Sequence, residues 1–118
     1  MDQCFPRYRR LNKSADYQNI FDGAKKRVDH HFILLFKKNT IDFARLGLII
    51  GKKQVRKATR RNTIKRVIRE SFRYHQALLS GYDVIFLARK DLSSLSKQQL
   101  REKLDNYWKK SANYQSYH

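Results

Sequence analysis

Hydrophobic residues in this sequence follow two spacings, which together predict its helices and strands. Three segments are rich in apolar residues but too short for helices, so they predict buried strands at 32–36, 43–50 and 82–88. Three longer segments repeat their apolar residues every three or four positions, which is the spacing of one helix face. These segments cover residues 14–23, 59–79 and 96–110. The order predicts an α+β fold, an αββαβα sandwich with helices packed on a small mixed sheet.

Polar residues and glycines mark several ends of these elements. Ser14 is a candidate N-cap for the first helix, and Gly23 suits its end. Ser96 and Gln99 form a capping box at the start of the last helix. We expect a single domain over residues 1–118, with a basic arm at 1–13 and a frayed polar tail at 112–118.

Three connections can also be predicted. Residues 25–27 are all basic and predict a loop. The strands at 32–36 and 43–50 are separated by a short turn, which favours their pairing as an antiparallel hairpin. The helix at 59–79 joins the second strand to the third. If those strands are parallel neighbours, the general expectation is a right-handed crossover.

The helix predicted over residues 59–79 has two faces of opposite character. At about 100° per residue, its apolar residues fill an arc of about 140°. They are Ile64, Val67, Ile68 and Phe72. The opposing arc carries Asn62, Lys65, Arg66, Arg69 and Arg73. One face is therefore predicted to pack in the core and the other to meet an anion.

Positive charge is the extreme property of the composition. The chain has 27 Lys and Arg against 10 Asp and Glu, a formal net charge of +17, and ten of those cations lie within residues 52–73. Such self-repulsion favours a polyanionic partner, and nucleic acid fits because cations that neutralise phosphates release counterions. The alternatives are a charged face that is merely solvated and a membrane surface. The strands around the basic helix argue against the membrane, and the longest apolar runs are far too short to span one.

Residues that could perform chemistry are sparse. His30 and His31 point to opposite faces of a strand, and no His–Cys spacing suits zinc. The ten acids are scattered, and the four glycines form no phosphate-cradling loop. We therefore predict no catalytic residue and no metal ligand on the polypeptide. Cys4 is the single cysteine and the N-terminus lacks a signal-peptide pattern, which favours the cytoplasm.

RNA fits the basic segment better than DNA. A basic helix can enter a major groove, but this one is predicted to bury its apolar face, and no helix-turn-helix pattern precedes it. Arg61 and Arg66 offer planar forks suited to phosphate, and Asn62 can bridge backbone or base edges. Tyr17 and Phe21 are either core residues or the lining of a groove in which unpaired bases stack.

The same segment resembles the protein subunit of bacterial ribonuclease P. That family's signature is Arg-Asn-Arg, then Ile-Lys-Arg, two variable residues, Arg and often Glu. Here it stands as Arg61-Asn62-Thr63-Ile64-Lys65-Arg66-Val67-Ile68-Arg69-Glu70. The similarity extends over residues 5 to about 110 and includes Phe5-Pro6-Arg7. Thr63 departs from the signature's third Arg, and Arg60 is a candidate replacement.

The resemblance implies a ribonucleoprotein that removes the 5′ leader of precursor tRNA by hydrolysing a phosphodiester. A large RNA would carry the catalytic site and hold magnesium, while the protein would bind that RNA and broaden the substrate range. The matching residues for catalytic-RNA binding are Lys52, Lys53, Arg56, Lys57, Arg60, Arg61, Asn62 and Arg66. A cleft between the sheet and the N-terminal helix would hold the leader, with Tyr17, Phe21, Lys65 and Arg69 beside it. The family's crossover at the basic helix is left-handed, which is the sense we expect here.

Two other functions would also use a basic domain of this size. One is a structural RNA-binding protein, such as a small ribosomal protein, and the other is a stand-alone protein nuclease. We expect the accessory role in an RNA-based endonuclease, with catalytic RNA and precursor tRNA as partners. We expect no DNA or membrane partner, and a monomer apart from RNA.

Overall fold

A computed structural model describes residues 23–41 and 43–116, with side chains described as far as residue 110. Within these residues the chain forms four strands, two α-helices and a short 3-10 helix. They are β1 (Lys25–Val28), β2 (Phe32–Lys38), β3 (Arg45–Ile49), α1 (Ala58–Tyr74), β4 (Tyr82–Ala88), the 3-10 helix (Leu92–Ser94) and α2 (Lys97–Ser116). The helix predicted from Ser14, with Tyr17 and Phe21, lies outside the described residues, as does the basic arm.

The sheet is mixed, with β4 lying between β2 and β3. Strand β4 pairs antiparallel with β2, where Phe36 is opposite Val84, and parallel with β3, where Leu46 is opposite Val84. The sequence predicted an antiparallel hairpin between the strands at 32–36 and 43–50, which are β2 and β3 here. That prediction is wrong, because β4 lies between them. Residues 84–88 form an unbroken apolar run, and an interior position buries both faces of such a strand.

Strand β1 occupies a segment that the sequence predicted as a loop. It pairs antiparallel with β2, with Lys25 opposite Phe36 and Val28 opposite Ile33. The loop prediction at 25–27 is wrong because an edge strand pairs its backbone on one side while its charged side chains stay in solvent. Charge along a segment therefore did not exclude a strand there.

The basic helix α1 connects two adjacent parallel strands, β3 and β4, as a crossover requires. The left-handed sense implied by the resemblance stays a prediction. The helix ends at Tyr74, short of the predicted end near residue 79. The His75 N–H donates to the Phe72 carbonyl at 3.0 Å, and Gly81, with φ of 86°, allows the turn into β4.

Both helices pack on one face of the sheet, as the α+β prediction requires. The buried residues they contribute are Ile64, Val67, Ile68, Phe72, Leu100, Leu104 and Trp108. These pack in one cluster with alternate residues of the strands, which are Phe32, Leu34, Phe36, Leu46, Val84 and Phe86. The other sheet face carries a smaller buried cluster around Leu35 and Ile85. The apolar arc of α1 is thus confirmed as core.

Polar contacts join the two helices and fix the rotation of α1. Trp108 Nε1 donates to Ser71 Oγ at 2.9 Å, and Ser71 Oγ donates to Asp105 Oδ1 at 2.6 Å. Arg101 of α2 pairs with Glu70 of α1 at 3.4 Å. Because α1 cannot turn about its axis without breaking these contacts, they determine which of its side chains face outward.

The capping box predicted for the last helix is confirmed. The Gln99 N–H donates to Ser96 Oγ at 3.1 Å, and the Ser96 N–H donates to Gln99 Oε1 at 3.0 Å. The helix extends to Ser116, so most of the stretch predicted as a tail is helical. Fraying of residues 112–118 stays a prediction.

Candidate nucleic-acid interface

One face of α1 presents a row of polar and cationic side chains, as the helical spacing predicts. Asn62 and Arg66 are exposed, and Lys65, Arg69 and Arg73 are partly exposed along the same side. The opposite side of the helix buries Ile64, Val67, Ile68, Ser71 and Phe72. We call the outward row from Asn62 to Arg73 the basic face.

The segment before α1 adds four more cations. Lys52, Lys53, Arg56 and Lys57 are all exposed. Their loop is held in place because Val55 inserts into the core, with 1% of its surface exposed. The Gly51 N–H donates to Gln54 Oε1 at 2.8 Å, and the Val55 N–H donates to the Gly51 carbonyl at 3.1 Å. A short, internally bonded turn therefore presents these cations beside the start of the basic face.

Arg61 ties the helix to this loop. Its guanidinium donates from one terminal nitrogen to the carbonyls of Val55 at 2.9 Å and Arg56 at 3.0 Å. Since a guanidinium carries five N–H donors, this pair of bonds leaves capacity for a phosphate. The sequence predicted Arg61 as an RNA contact, and it gave no sign of this second, structural role.

Arg60 has a different environment from Arg61. Its guanidinium donates to the Leu95 carbonyl at 2.5 Å and lies 3.5 Å from the Ser93 carbonyl, at the connection that precedes α2. A charged donor holding a backbone carbonyl is a strong, positioned bond. These contacts give no support to the idea that Arg60 replaces an arginine at position 63.

Thr63 has a local partner. Its hydroxyl donates to the Thr59 carbonyl at 3.0 Å, one turn back along α1. This backbone bond is typical of threonine within helices. At position 63 this chain therefore offers a short side chain that is bonded to its own helix.

The predicted leader residues can be placed only in part. Lys65 and Arg69 lie one turn apart on α1, so they share the basic face with Asn62 and Arg66. Tyr17 and Phe21 lie outside the described residues, and their role beside a leader stays a prediction.

The acids in the described residues have partners that the sequence did not indicate. Asp83, only 5% exposed, receives two bonds from Arg45, at 2.8 Å from Nε and 2.6 Å from a terminal nitrogen. Asn39 Nδ2 adds a third bond at 2.9 Å. Asp91 pairs with His30 at 2.7 Å. The sequence does hold one signal that Asp83 would be paired. It is a single acid at the start of a buried strand, and a buried charge needs a partner.

Asp29 anchors the turn between β1 and β2 to α2. Its carboxylate accepts the Tyr107 hydroxyl at 2.9 Å, Lys103 Nζ at 3.1 Å and the His31 N–H at 2.9 Å. Burial raises the pKa of this carboxyl, but the bonds from His31, Lys103 and Tyr107 outweigh it and lower the pKa to about 2. The pKa of Tyr107 is raised by its burial and by the bond to this carboxylate.

The part of the chain that the structure describes shows neither a group of metal ligands nor a membrane-spanning helix. Across residues 23–41 and 43–116, no three His, Cys, Asp or Glu side chains are grouped so that they could hold a metal ion. Neither of the two described helices is long and apolar enough to cross a membrane.

Comparison with known proteins places this arrangement in a family. The family model described as Ribonuclease P matches residues 5–112. The ribonuclease P protein component of Marinomonas sp. (strain MWYL1) is 44% identical over 108 residues, which cover 91% of this chain and 82% of that protein. The RNase P protein structure from Staphylococcus aureus is similar with a TM-score of 0.80 and 32% identity, over 87% of this chain and 94% of that one. The structure from Thermotoga maritima gives a TM-score of 0.75 and 38% identity, over 86% and 96%.

Proposed function

The chain belongs to the ribonuclease P protein family, and we propose that it binds the family's catalytic RNA together with the 5′ leader of precursor tRNA. Membership of the family implies an RNA partner and a part in the 5′ processing of tRNA. The finer proposal is that the RNA performs the hydrolysis and that the polypeptide holds and positions the two RNAs in the cytoplasm.

The observation that carries this proposal is the continuity of the loop at 51–57, which we call the basic loop, with the basic face of α1. Lys52, Lys53, Arg56 and Lys57 are exposed immediately before the helix, and Asn62 and Arg66 continue the surface along it. The buried Val55 and the core side of α1 hold both parts in fixed positions. A rigid row of cations suits a structured RNA, because less side-chain and backbone freedom is lost on binding.

The leader is assigned to the second part of the basic face. Lys65 and Arg69 are one turn apart and can follow successive phosphates, and Tyr17 and Phe21 would supply aromatic surfaces for unpaired bases. Phosphate contacts carry no sequence information, so a site of this kind would accept leaders of many sequences.

Assigning the chemistry to RNA agrees with the roles of the buried acids. Asp29 and Asp83 are each held by cations and neighbouring donors in the core or at its edge. Carboxylates committed in this way stabilise the fold and are poorly placed to bind magnesium. In this proposal the catalytic magnesium is held mainly by the partner RNA.

Cleavage of precursor tRNA at low magnesium tests the proposal. The full chain, an in vitro transcribed ribonuclease P RNA and an equimolar mixture of both would be compared. We expect the mixture to cleave at the 5′ end of the mature tRNA, the RNA alone to be slow, and the protein alone to be inert. The expected gain arises because protein cations replace part of the counterion charge that magnesium otherwise supplies.

The same assay separates the alternative functions. Cleavage by protein from which all RNA has been removed would identify a protein nuclease. An RNA whose rate does not change when the protein is added would instead support a structural RNA-binding protein. Mature tRNA serves as the control ligand, since leader binding predicts tighter binding of the precursor than of the mature form.

A further inference from the structure

An exposed tyrosine flanked by two arginines lies at the end of α1. Tyr74 is the last residue of the helix, and 68% of its surface is exposed. The guanidinium carbon of Arg73 lies 5.2 Å from the centre of its ring, and that of Arg101, from α2, lies 5.1 Å from it. The three side chains form what we call the Tyr74 cluster.

The contacts of the Tyr74 cluster contribute little to the stability of the fold, although they leave a large aromatic ring exposed. A cation–π contact at an exposed site stabilises a fold only weakly, and most of the tyrosine ring remains in water. Arg101 is also held by Glu70 at 3.4 Å, so one of the two guanidinium groups is anchored before any ligand arrives. A large exposed aromatic ring with a positioned cation beside it is a typical surface for binding an unpaired base.

The position of the cluster connects it to the basic face. Arg73 belongs to that face, and Tyr74 follows it directly. The rise of a helix, about 1.5 Å per residue, places Tyr74 about 18 Å along the axis from Asn62. The cluster therefore lies at the far end of α1 from the basic loop, a distance that spans several nucleotides of RNA.

We propose that the Tyr74 cluster is a further RNA-binding site that holds one unpaired nucleotide. The base stacks on the ring of Tyr74, and Arg73 and Arg101 contact the adjoining phosphates. Every base has a face that can stack on an aromatic ring, so the site selects for an unpaired nucleotide and not for a sequence. This inference rests on the proposed function, because it takes the partner of the basic face to be RNA.

Charge favours RNA over a protein partner for this cluster. The chain carries a net charge of +17, and Arg73, the last residue of the basic face, is also a member of the cluster. A polyanion can contact the loop, the basic face and the cluster at once, and each further phosphate contact adds counterion release.

The test is equilibrium binding of the full chain to in vitro transcribed ribonuclease P RNA, with a set of substitutions at position 74. We expect Tyr74→Ala and Tyr74→Leu to weaken binding by about 5- to 30-fold, since both remove the stacking surface. Tyr74→Phe keeps the ring and should bind within about threefold of the unsubstituted chain. Arg101→Ala should lower the slope of log affinity against log salt by about one phosphate contact.

Leu78→Ala is the matched control. Leu78 is also a large exposed apolar residue, at 43%, just beyond the end of the same helix. Its truncation should leave binding unchanged, and thermal unfolding of each variant would show that all of them fold. Chemical probing of RNA 2′-hydroxyls should detect a nucleotide that is protected by the unsubstituted chain and reactive with Tyr74→Ala, and this nucleotide should be unpaired.

The outcomes distinguish this inference from the proposed function. If the unsubstituted chain does not bind the RNA, the proposed function fails and this inference fails with it. If the unsubstituted chain binds and Tyr74→Ala binds equally well, the inference alone is wrong. Equal losses for Tyr74→Phe and Tyr74→Ala, or protection confined to paired nucleotides, would also overturn it.

Discussion

Three arginines in the first turns of α1 show how far identical residues can differ in role. Arg60 donates to the Leu95 carbonyl, and Arg61 donates to the carbonyls of Val55 and Arg56. Arg66 is exposed on the basic face. Arg60 and Arg61 are adjacent, and Arg66 lies one to two helical turns further along. All three were predicted to bind RNA. Arg60 therefore joins α1 to the chain before α2, and Arg61 joins α1 to the basic loop. Arg66 is directed to solvent.

Arg66→Ala and Arg60→Ala should therefore have different effects. Arg66→Ala should lower the slope of log affinity for RNA against log salt by about 0.7–0.9, which corresponds to one phosphate. It should leave the free energy of unfolding nearly unchanged. Arg60→Ala should lower that free energy by about 1–3 kcal/mol, because it leaves the carbonyl of Leu95 without its charged donor. Salt titrations of RNA binding and urea unfolding measure the two quantities.

Each of the two variants is the control for the other, because each removes one guanidinium from the same helix. An unchanged salt slope for Arg66→Ala would remove this residue from the RNA interface. A stability loss in Arg66→Ala equal to that in Arg60→Ala would contradict the assignment of the structural role to Arg60.

Among the described elements, the turn between β1 and β2 is joined to α2 through one carboxylate, that of Asp29. Asp29 has 8% of its side chain exposed and binds Lys103 and Tyr107 of α2. Its backbone carbonyl also accepts a bond from Arg89, at the end of β4, at 3.1 Å. An edge hairpin with a largely exposed first strand has little apolar area to hold it, so these polar contacts supply much of its attachment.

Asp29→Asn should lower stability in a pH-dependent way. The pKa of this carboxyl is lowered from 3.8 to about 2 in the folded chain. A lowered pKa stabilises the fold above the unfolded value, so the contribution is complete at neutral pH, at about 2 kcal/mol. It declines as the pH falls from about 4 towards 2, where the carboxylate becomes protonated in both states. Urea unfolding of the two chains at a series of pH values should show their difference shrinking over that range.

Asp91→Asn provides the control for this experiment. Asp91 pairs with His30, but both side chains are more than half exposed. Exposed ion pairs contribute about 0–1 kcal/mol, so this variant should lose less stability at neutral pH. A difference between Asp29→Asn and the unsubstituted chain that stays constant down to the lowest pH would show that the carboxylate is not the cause.

For the whole molecule, the net charge of +17 links stability to RNA binding through salt. Repulsion among 27 Lys and Arg destabilises the free fold, and added salt screens that repulsion over a Debye length of about 10 Å at 0.1 M. Salt should therefore stabilise the free protein and weaken its complex with RNA.

Raising sodium chloride from 50 to 200 mM should increase the melting temperature of the free chain. Over the same range, affinity for RNA should fall by about 10³-fold or more if six or more phosphates are contacted. Scanning calorimetry measures the first effect and filter binding the second. Sucrose serves as a control, since it carries no charge and should not change the RNA affinity in this way. A melting temperature that falls with salt would show that charge repulsion does not limit stability.

The sequence by itself determined the features that depend on local spacing and composition. Apolar residues at helical spacing predicted the buried side of α1, and its basic face follows because the remaining positions of a helix must point outward. The capping box at Ser96 and the strong apolar strand at 82–88 are local in the same sense, and both are confirmed. The family signature in residues 61–70 is also read directly from the chain.

Only the tertiary structure decided which elements and side chains meet. Spacing along β2 and β3 does not show that β4 separates them, because strand order depends on which strand gains most from burial on both faces. The partners of Asp29 on α2, and the partners of Asp83 and Arg60, lie 33 or more residues away in the sequence. The Tyr74 cluster needs Arg101, which comes from the other helix. Such contacts are set by how helices and sheet pack together, since residues distant in sequence become neighbours only when the core forms.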